Sequence, residues 1–150
     1  GLIAAWPISN PIPGFVTLPT PSPPSISMEF GFGVSSKSTT ISAPCVTSGS
    51  SPASLITEHL EENNLSPQEV EQYWLHQANI NMNTYVVKKL LGDDFPPERA
   101  PNVLEEYANT GSAGSLISFH KYNHLEKGQK GIICSFGAGY SICSILVEKA

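Results

Sequence analysis

Tyr73-Trp74-Leu75-His76-Gln77-Ala78-Asn79 is the stretch that decides the fold. Three large apolar-type side chains run into a histidine, and an asparagine follows at helix-capping distance. Tyr73-Trp74-Leu75 reads as a short buried strand with His76 at its C-terminal end. Asn79 caps a helix over about 80–91. In that helix Met82, Val86 and Leu90 form one row and Val87 and Leu91 the next, which makes a wide core face. Gly92 closes it.

Upstream, Ser51-Pro52 opens a helix to about Asn63 or Asn64, with Leu55, Ile56 and Leu60 on its apolar face and His59 between them. Ser66-Pro67-Gln68-Glu69 has the form of a capping box and starts a short second helix. Downstream, Asp93 to Pro97 is a turn, and Pro101 to Tyr107 holds another helical turn. Ser112 caps a helix to about Leu125 with Ala113, Leu116, Ile117 and His120 on one face. Its first turn is built of small residues, so a neighbouring backbone or ligand can approach closely. Gly131 to Phe136 and Ser141 to Glu148 are strands, joined by the tight turn Gly137-Ala138-Gly139-Tyr140. Strands alternating with helices give an α/β layer fold with a mixed β-sheet packed with helices.

Residues 1–50 have a different composition. Up to residue 54 the only charged residues are Glu29 and Lys37, and nine of the 13 prolines fall there. This reads as a Pro/Ser/Thr-rich arm or irregular segment before a half-domain at 51–150. Its apolar residues, among them Trp6, Phe15 and Phe32, suit burial against a partner surface, and Gly31 to Val34 reads as a strand entry. Gly1 in place of Met suggests a processed start, with Met28 a conceivable alternative. Leu2 to Trp6 is too short, and lacks the basic lead, for a signal peptide.

A chain of 150 residues with a net charge of −5 suits one compact domain and argues against nucleic acid, which needs clustered Lys and Arg. No apolar run reaches the roughly 18 residues of a membrane span. Three cysteines without dense spacing fit a reducing, cytoplasmic setting. Cys134 and Cys143 face each other if the hairpin centres between Ala138 and Gly139. They then read as two small core residues, with a disulfide as the alternative. His120 and His124, four apart on a helix, have zinc-ligand spacing, but no Cys or carboxylate pattern completes a metal site. His120 is expected to pack on the core and His124 to be solvated.

Two residues carry the chemistry. A neutral imidazole at His76 and a side-chain amide at Asn109, in Tyr107-Ala108-Asn109-Thr110-Gly111-Ser112-Ala113-Gly114, can both donate hydrogen bonds to one oxygen that is gaining negative charge. With Ser135-Phe136-Gly137-Ala138-Gly139-Tyr140, the words His-Gln-Ala-Asn, Asn-Thr-(small)-Ser and Phe-Gly-Ala-Gly form an ordered set. Over residues 52–150 the chain resembles the C-terminal half of a β-ketoacyl-acyl-carrier-protein synthase III, of the thiolase-like superfamily.

That resemblance implies a Cys-His-Asn site for decarboxylative Claisen condensation, as in fatty acid biosynthesis. His76 and Asn109 would stabilise the enolate oxygen, and Phe136, Gly137, Ala138 and Gly139 would shape the pocket and oxyanion hole. No resident cofactor is implied; coenzyme A or acyl-carrier-protein thioesters would be substrates. The family's cysteine opens a buried helix in the other half, a setting that Cys45, Cys134 and Cys143 lack. The family often has Arg five residues after the motif histidine, to greet the carrier protein; here that position is Asn81, and Lys88, Lys89 and Arg99 are the substitute cations to consider. Three readings follow: an acyltransferase half needing a nucleophile from elsewhere, a non-catalytic interaction module that self-associates, and a thioester-binding or malonyl-decarboxylating protein using His76 and Asn109. Partners to expect are a homo-oligomer mate or an N-terminal half, and acyl-carrier protein.

Overall fold

A computed structural model describes residues 38–42, 45–47 and 51–150. Most of the expected arm, including Gly31 to Val34, lies outside these residues. Within it, β1 (Ser38–Ser42) and β2 (Cys45–Thr47) are strands. The remaining elements are α1 (Pro52–Glu62), β3 (Val70–Leu75), α2 (Ile80–Leu91), α3 (Leu104–Tyr107), α4 (Ala113–Lys121), β4 (Lys130–Gly137) and β5 (Ser141–Lys149), with 3-10 turns at Pro67–Glu69, Pro97–Arg99 and Ala138–Tyr140.

The described strands form one five-stranded sheet in the order β1-β5-β4-β3, with β2 also on β5. β3 runs parallel to β4; the other pairs are antiparallel, so the sheet is mixed as expected. The parallel pair needs a long crossover, and α2 to α4 lie within it. β3 is buried on both faces beyond Glu71, so it reads as an apolar run rather than an alternation.

Helices cover both faces. On one, α1 and α2 pack Leu55, Ile56, Leu60, Val86, Val87 and Leu90 against Tyr73, Leu75, Ile132, Ile142 and Leu146. On the other, Trp74, Ile133, Val147 and Leu125 cluster with Phe119 of α4 and Ile145. The Trp74 and Phe119 rings meet edge to face, 4.8 Å between centroids. Gly131 is required here, since a Cβ on it would lie 2.3 Å from Trp74 Cζ3.

Local signals behave as read for the first two helices. Ser51 Oγ accepts the Ser54 N–H, Asn79 Oδ1 accepts the Asn81 N–H, and Gly92 follows α2 with φ 91°. Other expectations need correction. The capping-box segment is a single 3-10 turn, and β3 starts three residues before Tyr73. Met82 is exposed; Asn83 takes its place against the core. α4 stops at Lys121, and Ser112 makes no side-chain cap. The buried face of α4 is Gly114, Ser115 and Ser118, while Ala113, Leu116 and His120 face outward. Small residues are buried there because the helix lies close to its neighbours: Ser118 Oγ donates to the Pro101 carbonyl at 3.2 Å.

The β4–β5 hairpin centres on Gly139, at φ 73°, half a residue from the expected position. Cys134 is therefore opposite Ser144 and Cys143 opposite Ser135. Neighbouring strand residues point to opposite faces, so Cys134 and Cys143 cannot be disulfide neighbours. Cys134 is a buried thiol whose pKa burial, with Cys143 adding, pushes up to about 12.

Candidate active site

His76 directly follows β3, which among the described strands is the edge strand beside β4, one residue beyond the Leu75–Cys134 pair. It is 7% exposed. Its Nδ1 is 3.1 Å from Ser135 Oγ on β4, and its ring lies 4.1 Å from the Phe136 ring. Burial lowers its pKa, which keeps the imidazole neutral at pH 7. Its Nε2 has no hydrogen-bond partner among the described residues.

Asn109 is exposed, on the loop between α3 and α4. Its Oδ1 accepts the Gly111 N–H at 2.9 Å, an Asx turn. That bond fixes the carboxamide with its acceptor occupied, and the amide NH2 has no partner among the described residues. The turn is held from both sides. Gly111 has φ 62°, and Ala108 has φ 53° and ψ −157°, a region that glycine enters far more easily than alanine. Lys121 of α4 ion-pairs with Glu106 and sits over the Tyr107 ring, tying α3 to α4.

The two segments meet through Gln77. This side chain is wholly buried. Its Nε2 donates to the carbonyls of Leu75 (3.0 Å) and Pro101 (3.4 Å), and its Oε1 accepts the Val103 N–H (3.0 Å). Gly114 fits against its stem, with Thr110 Oγ1 at the same spot. The neighbours of His76 and Asn109 are therefore in contact. Of the expected loop, Phe136 is half-buried against His76, while Gly137, Ala138 and Gly139 are exposed.

Other expected residues lie apart from this centre. His120 and His124 are both exposed, and His124 lies beyond the end of α4, so the helical zinc spacing does not exist. Arg99 is committed to the backbone: Nη2 donates to the carbonyls of Pro67, Gln68 and Val70. Lys88 pairs with Asp93 at 3.1 Å, and Lys89 stands over Tyr85. Cys45 begins a strand and Cys134 and Cys143 lie within strands, so none opens a helix. Sequence reasoning assigned no role to Gln77 or Ser135. The parity of β4, which puts Ser135 on the face of Ile133, was the available signal for the second.

The family model described as 3-oxoacyl-[acyl-carrier-protein] synthase III C terminal matches residues 60–149. The chain is 51% identical over 98 residues to a β-ketodecanoyl-[acyl-carrier-protein] synthase of Pseudomonas aeruginosa, covering 65% of this chain and 28% of that protein. Among solved structures it resembles 3-oxoacyl-[acyl-carrier-protein] synthase III of Aquifex aeolicus, with TM-score 0.52 and 26% identity over 61% of this chain and 30% of the other. The peroxisomal 3-ketoacyl-CoA thiolase of Saccharomyces cerevisiae shares the fold, with TM-score 0.61 at 19% identity over 75% of this chain and 34% of the other. The chain thus spans under a third of the curated relatives it matches. A thiolase-like mixed sheet with the His76 word at a strand end, matched over 60–149, places the chain in the 3-oxoacyl-[acyl-carrier-protein] synthase III C-terminal family.

Proposed function

We propose that this chain supplies the enolate-stabilising half of a decarboxylative Claisen condensation. A malonyl thioester, on coenzyme A or acyl-carrier protein, loses its carboxylate as carbon dioxide. The electron pair of the broken C–C bond passes into the thioester, and charge collects on its oxygen. His76 Nε2 and the Asn109 amide donate to that oxygen. The resulting enolate carbon attacks an acyl thioester on a cysteine, whose thiolate leaves. That cysteine comes from a second segment, because no cysteine of this chain has a helix-opening setting. The Phe136–Gly139 turn borders the acyl group.

The observation that carries this reading is the state of the two donors. Each has its other polar atom already engaged, His76 Nδ1 by Ser135 and Asn109 Oδ1 by Gly111. Neutral, fixed donors are what a developing oxyanion needs, and losing one typically costs about 3 kcal/mol. The direct test is carbon dioxide release from malonyl thioesters by the chain, compared with His76→Ala and Asn109→Ala. We expect each variant to lose about 100-fold or more. Release unchanged in both variants overturns the reading. Intact-mass measurement after acyl-coenzyme A treatment tests the nucleophile, and an adduct on Cys45 would refute its supply from elsewhere.

The partner surface is proposed on the outer face of α4. Leu116 is 56% exposed there, and Tyr107, at the end of α3, is 41% exposed. These residues suit either a complementary half or a second copy of the chain. Sedimentation of the chain against Leu116→Glu reads this out. A monomer in both cases, with no gain in activity from a cysteine-bearing half, removes the proposal. Acyl-carrier protein is the candidate donor, met by Lys88 and Lys89 rather than Arg99, and the reduced cytoplasm is the candidate compartment. No helix among the described residues is long and apolar enough to cross a membrane.

A further inference from the structure

We propose that Ser135 is a positioning residue that sets the tautomer of His76, so that Nε2 carries the ring proton. The inference deepens the enolate-stabilising reading and takes its catalytic meaning from it.

A neutral imidazole has one N–H and one lone pair, and only the nitrogen with the proton can donate to an oxyanion. Nδ1 lies 3.1 Å from Ser135 Oγ, so the two atoms share one proton between them. Two arrangements satisfy that distance. If Nδ1–H donates to the serine, the hydroxyl proton of Ser135 has no acceptor among the described residues, and Nε2 presents a lone pair to incoming negative charge. If Ser135 O–H donates to Nδ1, the same contact satisfies both the hydroxyl and the ring lone pair, and Nε2–H is left to donate. The second arrangement leaves fewer polar groups unsatisfied in a half-buried place.

The geometry makes the contact specific. Leu75 pairs with Cys134 across the parallel β3–β4 ladder, so His76 and Ser135 are the next residues on their strands. Phe136 packs on the imidazole at 36° and limits its rotation. Ser135 is itself held opposite Cys143 by the antiparallel ladder to β5. A hydroxyl fixed on a central strand is therefore aimed at one nitrogen of a ring that cannot turn freely. Orienting partners of this kind are worth about 10–100-fold at histidine metal sites.

The test reads the tautomer directly, by long-range nitrogen-15 correlation spectra of the His76 ring in the whole chain. We expect the Nε2–H form in the native protein, a mixture or the Nδ1–H form in Ser135→Ala, and return of the native pattern in Ser135→Thr, which keeps the hydroxyl. A native Nδ1–H form, or an unchanged tautomer in Ser135→Ala, overturns the proposal. Malonyl decarboxylation is measured beside it, with an expected loss of about 10–100-fold in kcat in Ser135→Ala and recovery in Ser135→Thr. If the native chain releases no carbon dioxide, the enolate reading fails and the spectra still decide the role of Ser135.

Discussion

Gly114 stands so close to Gln77 that a Cβ placed on it would lie 2.5 Å from Gln77 Cβ and 3.0 Å from its Cγ. The helix that follows Asn109 therefore rests on the residue that follows His76. Gly114→Ala must push these segments apart, because the blocking atoms are the near end of a buried side chain and Thr110 Oγ1. Overpacking of this kind costs about 1–3 kcal/mol, more than the helix propensity gained by alanine. Urea unfolding should show the loss, and the amide signals of Asn109 to Gly111 should shift. A variant as stable as the native chain would mean that α4 can move without cost.

Gln77 is the polar counterpart of that contact. Replacing it by methionine keeps the volume and removes all three hydrogen bonds. The Val103 N–H and the Leu75 carbonyl then lose this partner, while the Pro101 carbonyl keeps Ser118. Each buried group left unsatisfied costs about 1–3 kcal/mol. We expect Gln77→Met to lower stability by about 2–4 kcal/mol in denaturant unfolding and to speed hydrogen exchange at Val103. Slow exchange at Val103 in the variant would show that the loop is held by something else.

The parts legible from the sequence were those fixed by local chemistry. Ser51 and Asn79 cap helix starts with side-chain oxygens that accept backbone N–H groups two or three residues on, and Gly92 ends α2 through its positive φ, so the bounds of α1 and α2 followed from them. His76 and Asn109 were visible because each sits in a distinctive word. The α4 face was not legible, because a rule that seeks apolar rows selects Leu116, whereas close packing selects Gly114, Ser115 and Ser118. The Cys134–Cys143 placement failed on half a residue of hairpin register, which is enough to put two side chains on opposite faces. Gln77 and Ser135 act on residues far away in the chain, and no local pattern reports such a contact.

Ala108 holds a backbone conformation that costs about 1–3 kcal/mol for a residue with a Cβ. It lies directly before Asn109, so the cost maintains the turn that presents the carboxamide. Ala108→Gly removes the strain but frees the unfolded chain. The net result should be a gain of about 1 kcal/mol, read as a higher urea midpoint. Decarboxylation should fall at the same time, because Asn109 is held less firmly. A lower midpoint would show that the native turn carries no strain at this position.

His59 is the buried group expected to contribute most to acid sensitivity. It is 1% exposed on α1, with Nδ1 2.9 Å from the hydroxyl of Ser144, also fully buried. Burial lowers its pKa from 6.5 to about 4. The unfolded chain therefore takes up a proton near pH 6.5, while the folded chain refuses it until about pH 4. More protons bind to the unfolded state in that window, so stability is complete above about pH 6.5 and falls as pH drops toward 4. The loss from His59 alone is about 3 kcal/mol at about 1.4 kcal/mol per unit. His76, also lowered by burial, adds to the same limb. His59→Asn cannot take up that proton, so its stability should decline less steeply over the window, by up to one proton per molecule. Urea unfolding at half-unit pH steps measures both slopes. Equal slopes in the native chain and the variant would place the acid sensitivity elsewhere, with His76 the next group to replace.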